Sequence, residues 1–308
     1  MKQQPYKRYR KLSLAILIAT LLPLILYAML AFQRPARVEL TQTLFTGITY
    51  QRQIRTTPRA IVIHIIHVDL TAPGIGIIVS PSVDNRPADP TEPTRETVAQ
   101  TTTEFLSKAQ VQIATNGSFF YPFEEKSPWH YYPHSGDRTY VAGQAIASGI
   151  PYASPLESWF PVCILNTQRV LISGQTVCPD NSEFALSGVP LLLIDGQVAL
   201  SEDFGENAIT PYARLVAATN ATGTELWLIA VDGKQPFYSE GMTLPEVIDL
   251  LQSLGATHAL NLDGGGSTTL VQATPHGPKV LNAPIHTKVL MRERPVANHI
   301  GIYAQPLE

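Results

Sequence analysis

The stretch ARLVAATNATGTELWLIAVDGKQPFYSEGMTLPEVIDLLQSLGATHALNLDGGGSTTLV, residues 213–271, carries the pattern that decides the fold. ARLVAAT (213–219) and ELWLIAVD (225–232) are apolar runs flanking an Asn220/Gly223 turn, which predicts two strands. Thr243-x-x-Glu246, with Pro245 in the first turn, is a capping box, in which side-chain oxygens satisfy backbone N–H groups that a helix start leaves unpaired. Leu244, Val247, Ile248, Leu251 and Leu254 form one apolar stripe, and Gly255 ends the helix. HALNLD (258–263) then returns as a strand that runs into three glycines.

The same signals extend outward. AIVIHIIHVDL (60–70) reads as a buried strand, and Pro73-Gly74 turns the chain into IGIIVSPS (75–82), read as its partner. Residues 94–109 place Val98, Thr101, Phe105 and Leu106 at helical spacing, and VQIAT (111–115) follows as a strand. LLLIDGQVAL (191–200) is a hairpin around Asp195-Gly196, and VANHIGIYA (296–304) is the last strand. Residues 33–58 read as a tether merging into a first strand near 47–53. Residues 81–93, with Pro81, Pro87, Pro90 and Pro93, read as loop, and 121–158 as an irregular insertion. Strands outnumber helices and hairpins outnumber crossovers. The expected class is α+β: a single domain over 59–308 with a mixed, largely antiparallel sheet and a few flanking helices.

Composition narrows the function. The chain has 308 residues, 44% hydrophobic and 15% charged, with only two cysteines, which excludes a disordered chain, a disulfide-stapled mini-protein and a polytopic membrane protein. Residues 1–37 hold seven Lys/Arg and no acid, leaving 15 basic against 25 acidic residues beyond them. A body of net charge -10 lacks the basic face that binding nucleic acid requires, so no nucleic-acid partner is expected.

Residues 12–32 run 21 positions without a charge, ~31 Å as a helix, the thickness of a bilayer's hydrocarbon core. With a basic stub at 1–11, this reads as a single-pass signal-anchor, with the body outside the cytoplasm by the positive-inside rule. A cleaved signal peptide is the alternative, and both export residues 38–308. Cys163 and Cys178 lie on PVCIL and TVCP, placed as paired strands would place them; a disulfide and two separate buried thiols are both open.

Three apolar strands end in an acid or amide followed by glycine, at Asn116, Asp232 and Asp263. Such strand ends hold small polar ligands, although Asn-Gly and Asp-Gly are also hairpin signals. In Asp263-Gly264-Gly265-Gly266-Ser267 the glycines allow consecutive N–H groups to converge on an anion beside a carboxylate. No Lys follows the glycines and no G-x-S-x-G is present, which excludes a Walker A loop and a nucleophile elbow, leaving Ser267 as a nucleophile candidate. Strand alternation puts Asn261 and Asp263 on one face and separates His64 from His67. His130 and His134 flank Pro133 with no H-E-x-x-H, so no zinc site is read there. Arg214 in its strand and Arg294 before Pro295 are candidate phosphate-gripping guanidinium groups or structural ion-pair partners.

NGSFF (116–120), ALSGVPLLL (185–193), Arg214 in its strand, VDGK (231–234), SEGMTLPEVIDLLQSLGATHALNLDGGGSTTLV (239–271) and RPVANHIGIY (294–303), in that order, resemble the phosphodiester glycosidase family. The resemblance implies a hydrolase that cleaves a sugar 1-phosphodiester to free sugar and a phosphomonoester. It implies Asp263 and Asp232 as catalytic carboxylates with Arg214, and Asn116, Gly117, Gly264, Gly265, Gly266, Ser267, Arg294 and Asn298 as substrate-binding residues. A hard divalent cation such as calcium is left open as a cofactor. The alternative reading is a non-catalytic envelope module that binds a phosphorylated or anionic glycan. Ser118 stands where the family commonly has Gly, and 126–149 has no counterpart, so the pocket is expected to be reshaped there.

Overall fold

The computed structural model describes residues 4–84, 86–89, 91–92, 94–201 and 204–307. The first three residues of the basic stub, and Pro90 and Pro93 of the proline-rich loop, lie outside them.

An eight-stranded antiparallel sheet forms the centre. Its order is Leu40–Phe45, Ile48–Arg55, Ile61–Asp69, Glu225–Val231, Arg214–Thr219, His258–Leu262, Leu191–Ile194 and Gln197–Val198. Both faces are covered, so the inner strands read as continuous apolar runs rather than alternating ones. Ile61, Ile63, Ile65, Val216, Ala218 and Ile229 pack under the helix Leu244–Ser253. Ile66, Val68, Leu215, Ala217, Leu228 and Leu260 face the central core. The helix has the expected capping box at Thr243 and Glu246, with Arg59 paired to Glu246, and buries Leu244, Val247, Ile248, Leu250 and Leu251. Each such side chain contributes about 1.5–3 kcal/mol of transfer free energy.

Across the core lie two five-stranded antiparallel sheets. One has the order Gly277–Val280, Leu270–Thr274, Ile113–Asn116, His299–Tyr303, Gly76–Val79, and carries the helix Thr102–Ala109 on its outer side through Phe105 and Leu106. The other has the order Ile150–Ala153, Ala145–Ala147, Ser182–Gly188, Phe160–Leu165, Val170–Ile172. The class is thus α+β with mostly antiparallel sheets and few helices.

Several local expectations are corrected by pairing. Gly76–Val79 is a strand, but it pairs with His299–Tyr303 rather than with Ile61–Asp69. Thr97–Val98 pairs with Arg138–Val141, so the helix starts only after the Thr101 cap. The region read as an irregular insertion holds Phe120–Tyr121, Glu124–Ser127, His130–Tyr132, Arg138–Val141, Ala145–Ala147 and Ile150–Ala153. Strands of two to four residues leave no periodic trace, because distant partners such as Ser182–Gly188 define them. Cys163 and Cys178 form a disulfide, Cα–Cα 5.8 Å, but only Cys163 is on a strand. The strand after it ends at Ile172, and Cys178 closes over the sheet from a loop.

The N-terminal helix Gln4–Phe32 contains Pro23. Its described side chains are continuous only from residue 19, and among the described residues no helix is long and apolar enough to cross a membrane.

Candidate active site

Asp263 stands where His258–Leu262 runs out of the central sheet. The antiparallel register of Leu215 with Leu262 brings Arg214 beside it. Asp263 is 8% exposed, with the Ser267 hydroxyl and the Arg294 and Lys234 charges near its carboxylate. Burial outweighs those three favourable contacts and pushes its pKa up to about 6.

The glycines are required one by one. A Cβ at Gly264 would lie 2.6 Å from the Ala213 carbonyl, and one at Gly266 would lie 2.5 Å from Arg294 Nη2. Gly265 has φ +60 and packs on the Tyr212 ring. The run forms a short 3-10 turn, in which the Gly265 amide donates to Ala213 and the Ser267 amide to Gly264. Those amides are turned inward, so the expected convergence of the whole run on an anion does not occur. Close packing against Ala213, Tyr212 and Arg294 is what selects glycine here.

Arg294 is the opposite pole. Its Nη1 donates to Ser267 Oγ at 3.1 Å, its Nε to His286 Nδ1 at 3.2 Å and its Nη2 to Glu125, with the guanidinium 4.5 Å from the Phe123 ring centre. Burial first, then the nearby Arg294 and Arg292 charges, drives the His286 pKa down to about 3, so the ring is neutral and accepts at Nδ1. Ser267, fully buried, accepts from the Arg294 guanidinium and sits beside the Asp263 carboxylate.

Asp263 and Arg294 line a cleft of about 370 Å³ with Phe119, Phe123, Glu125, Tyr212, Arg214, Lys234, Asn261 and Gly264 to Gly266. Arg214 forms part of the wall, its Nε donating to Met242 and its Nη2 to Asn207 and Thr210 carbonyls; burial depresses its pKa. Lys234 extends over the Tyr212 ring, 4.2 Å from its centre. Asn261 donates to Val189 and Leu262 carbonyls, and among the described residues its buried Oδ1 has no partner.

Other predicted residues stand behind this cleft. Asn116 is fully buried, donating to the Asp263 carbonyl at 2.6 Å and accepting from the Thr269 amide at 3.1 Å, so it holds the strand end. Gly117 accepts from the Asp263 amide, and a Cβ there would clash with Asn298 Oδ1 at 2.5 Å. Asn298, also buried, accepts from the Ser118 amide and donates to Tyr152. Asp232 is 1% exposed and accepts from the Ala283 amide, Asn282 Nδ2 and His64 Nε2; His64 Nδ1 in turn accepts from Tyr50. Asp232 does not line the cleft.

Glu125, Lys234, Tyr212, Phe119, Phe123 and His286 escaped the sequence reading. Lys234 sits two residues after Asp232 and was within reach of it, whereas Glu125 belongs to a hairpin whose strands carry no periodicity. Among the described residues no group of three or more His, Cys, Asp or Glu is placed to hold a metal ion.

The family model for phosphodiester glycosidase matches residues 109–303, a span that contains every residue of the cleft. The chain belongs to the phosphodiester glycosidase family. It is accordingly a hydrolase of the glycosidase/phosphodiesterase type, with a domain built to cleave phosphodiester glycosyl bonds. No curated protein matches the chain. Among solved structures, the zebrafish N-acetylglucosamine-1-phosphodiester alpha-N-acetylglucosaminidase catalytic domain, auto-inhibited by its pro-peptide, shares the fold at TM-score 0.56 and 18% identity, over 88% of this chain and 87% of that one. A protein of Burkholderia pseudomallei K96243 thought to be exported aligns at TM-score 0.58 and 12% identity, over 81% and 75%. A hypothetical protein from Synechocystis aligns at TM-score 0.51 and 14% identity over 88% of this chain, which spans 64% of that structure. At these identities the likeness to the solved structures is one of fold.

Proposed function

We propose that this family member hydrolyses a sugar 1-phosphodiester to free sugar and a phosphomonoester, from a domain held outside the cytoplasm by its N-terminal helix. The observation that carries the reading is Asp263 and Arg294 lining one cleft. A carboxylate suits the oxocarbenium character that builds at the anomeric carbon, and a guanidinium suits the departing phosphate. A phosphate departs as a stable anion and needs little protonation, so Asp263 is assigned the base. Water gives a proton to Asp263 as its oxygen bonds to the anomeric carbon. The bond from that carbon to the phosphate oxygen breaks, and its electron pair leaves on the phosphate, facing Arg294 and Lys234. Asp263 then returns the proton to solvent. Phe123 and Tyr212 offer aromatic walls for the sugar, and Asn261 Oδ1 an acceptor for a hydroxyl.

The membrane and export readings draw support from three features. Leu21, Leu22, Leu24, Ile25, Leu26, Tyr27 and Met29 are exposed around the N-terminal helix, as on a helix whose neighbours are lipid. The whole uncharged segment 12–32 has the length of a bilayer core. The Cys163–Cys178 disulfide belongs to an oxidising compartment.

The test is turnover of UDP-GlcNAc and methyl N-acetylglucosaminyl phosphodiester by the full chain in oxygen-18 water. Label in the released sugar supports cleavage at the anomeric carbon. Label in the phosphate overturns it, and binding without turnover favours a non-catalytic glycan-binding module.

A further inference from the structure

The N-terminal helix does not leave the domain at an arbitrary point. Past Phe32, Arg34 lies 4.4 Å over the Tyr238 ring and its Nη1 donates to Gln235 Oε1 at 3.5 Å. Tyr238 donates its hydroxyl to the Pro35 carbonyl at 2.9 Å, and Arg37 donates to the Phe237 carbonyl at 3.4 Å. The helix also passes close to the strand Val289–Leu290. Both places border the cleft: Lys234 lines it and immediately precedes Gln235, and His286, three residues before Val289, carries Arg294. Since successive Cα atoms are ~3.8 Å apart, Phe237 lies at most ~11 Å along the chain from the cleft wall.

The surface at this exit is unlike the rest of the domain. Phe237 is 92% exposed and held at φ +65, a conformation that a bulky residue seldom adopts, and Phe32 is 90% exposed. Arg34, Arg37, Arg52 and Arg55 gather here, Arg37 donating to the Arg55 carbonyl and Arg52 to the Val38 carbonyl, with Glu39 the sole acid in residues 33–59. Residues 60–308 carry twice as many acids as bases, 24 against 12. A cationic, aromatic-tipped ring around the base of an apolar helix suits an anionic lipid surface.

We propose that the cleft opens at the surface of the bilayer entered by the helix, and that its substrate is a glycosyl phosphodiester carried on a lipid. The proposal rests on both the hydrolase and the anchor readings above. Water then adds to the anomeric carbon as before, the bond to the phosphate oxygen breaks, and the lipid keeps the phosphomonoester in the membrane.

The test reconstitutes the full chain in phosphatidylethanolamine/phosphatidylglycerol vesicles and compares N-acetylglucosaminyl phosphodiesters of hexadecanol and of methanol. The expected kcat/KM is about tenfold higher for the hexadecyl diester, through its local concentration at the surface. Phe237→Asn keeps the left-handed backbone that Asn tolerates and should lose about fivefold on the hexadecyl diester alone. Equal turnover of the two diesters, or an equal loss on both in the variant, overturns the proposal and leaves the hydrolase reading intact. Turnover of neither diester overturns both, and recovery of the chain in the soluble fraction overturns the anchor and this proposal with it.

Discussion

Asp232 and Asp263 begin alike and end differently. Each closes an apolar strand of the central sheet and each is followed by glycine. Asp232 is saturated: the Ala283 amide, Asn282 and His64 occupy its carboxylate at 2.8–3.2 Å, and it is 1% exposed. Asp263 lies beside Ser267 and two cations and lines the cleft. A buried carboxylate with a full set of donors is a fastening. One with an incomplete set beside a cavity keeps capacity for a ligand.

The sharpest way to break this contrast is Asp263→Asn. It should cost about 10³-fold in kcat, within the usual range for removing a catalytic base, while circular dichroism stays unchanged. Retained turnover would end the assignment of Asp263. Next is Arg294→Gln, expected to cost about 10²-fold in kcat by removing the charge that meets the phosphate, measured as steady-state turnover on the same diester.

Asp232→Asn should fall on the other side of the contrast. It should lose about 2–3 kcal/mol of stability, because a neutral amide leaves the His64 and Asn282 donors poorly matched, while kcat of the folded fraction stays within about twofold. Urea melts paired with kinetics check it, and a large kcat loss without destabilisation would erase the distinction between the two aspartates.

The last expectation concerns pH. As a base, Asp263 works ionised, so kcat should rise with pH through about 6; a fall over that range would make it the acid. The stability sign is the reverse of a salt-bridged carboxylate. The folded pKa of about 6 lies above the ordinary 3.8, so the folded state holds the proton more tightly between them. Its contribution is fully present below about pH 4 and is lost as pH rises through about 6, on the order of 2–3 kcal/mol. Urea melts of the wild type, referenced to Asp263→Asn, should show that loss between those values.

Much of the scaffold was legible because it is local. The Thr243–Glu246 capping box, the stripe from Leu244 to Leu251 and the Asp195-Gly196 hairpin depend on neighbours within one or two turns of chain. Asp263 with its glycines was legible for the same reason, although close packing against Ala213, Tyr212 and Arg294 also requires those glycines. Glu125 was not, since it meets Arg294 across 169 residues from a hairpin of minimal strands. Asn116, picked as a ligand contact, reaches the Asp263 carbonyl across 147 residues and works from behind the cleft.

The sequence alone thus determined the class of domain, the positions of its main strands and helices, and the short list from which the site is drawn. Backbone periodicity, capping and turn sterics act over a few residues and are written in the order of side chains. Only the tertiary structure decided which aspartate faces a cavity, which arginine meets it and where the N-terminal helix leaves the domain. Those outcomes depend on which distant segments pair and on how many donors reach a buried carboxylate, and both are properties of the packed chain.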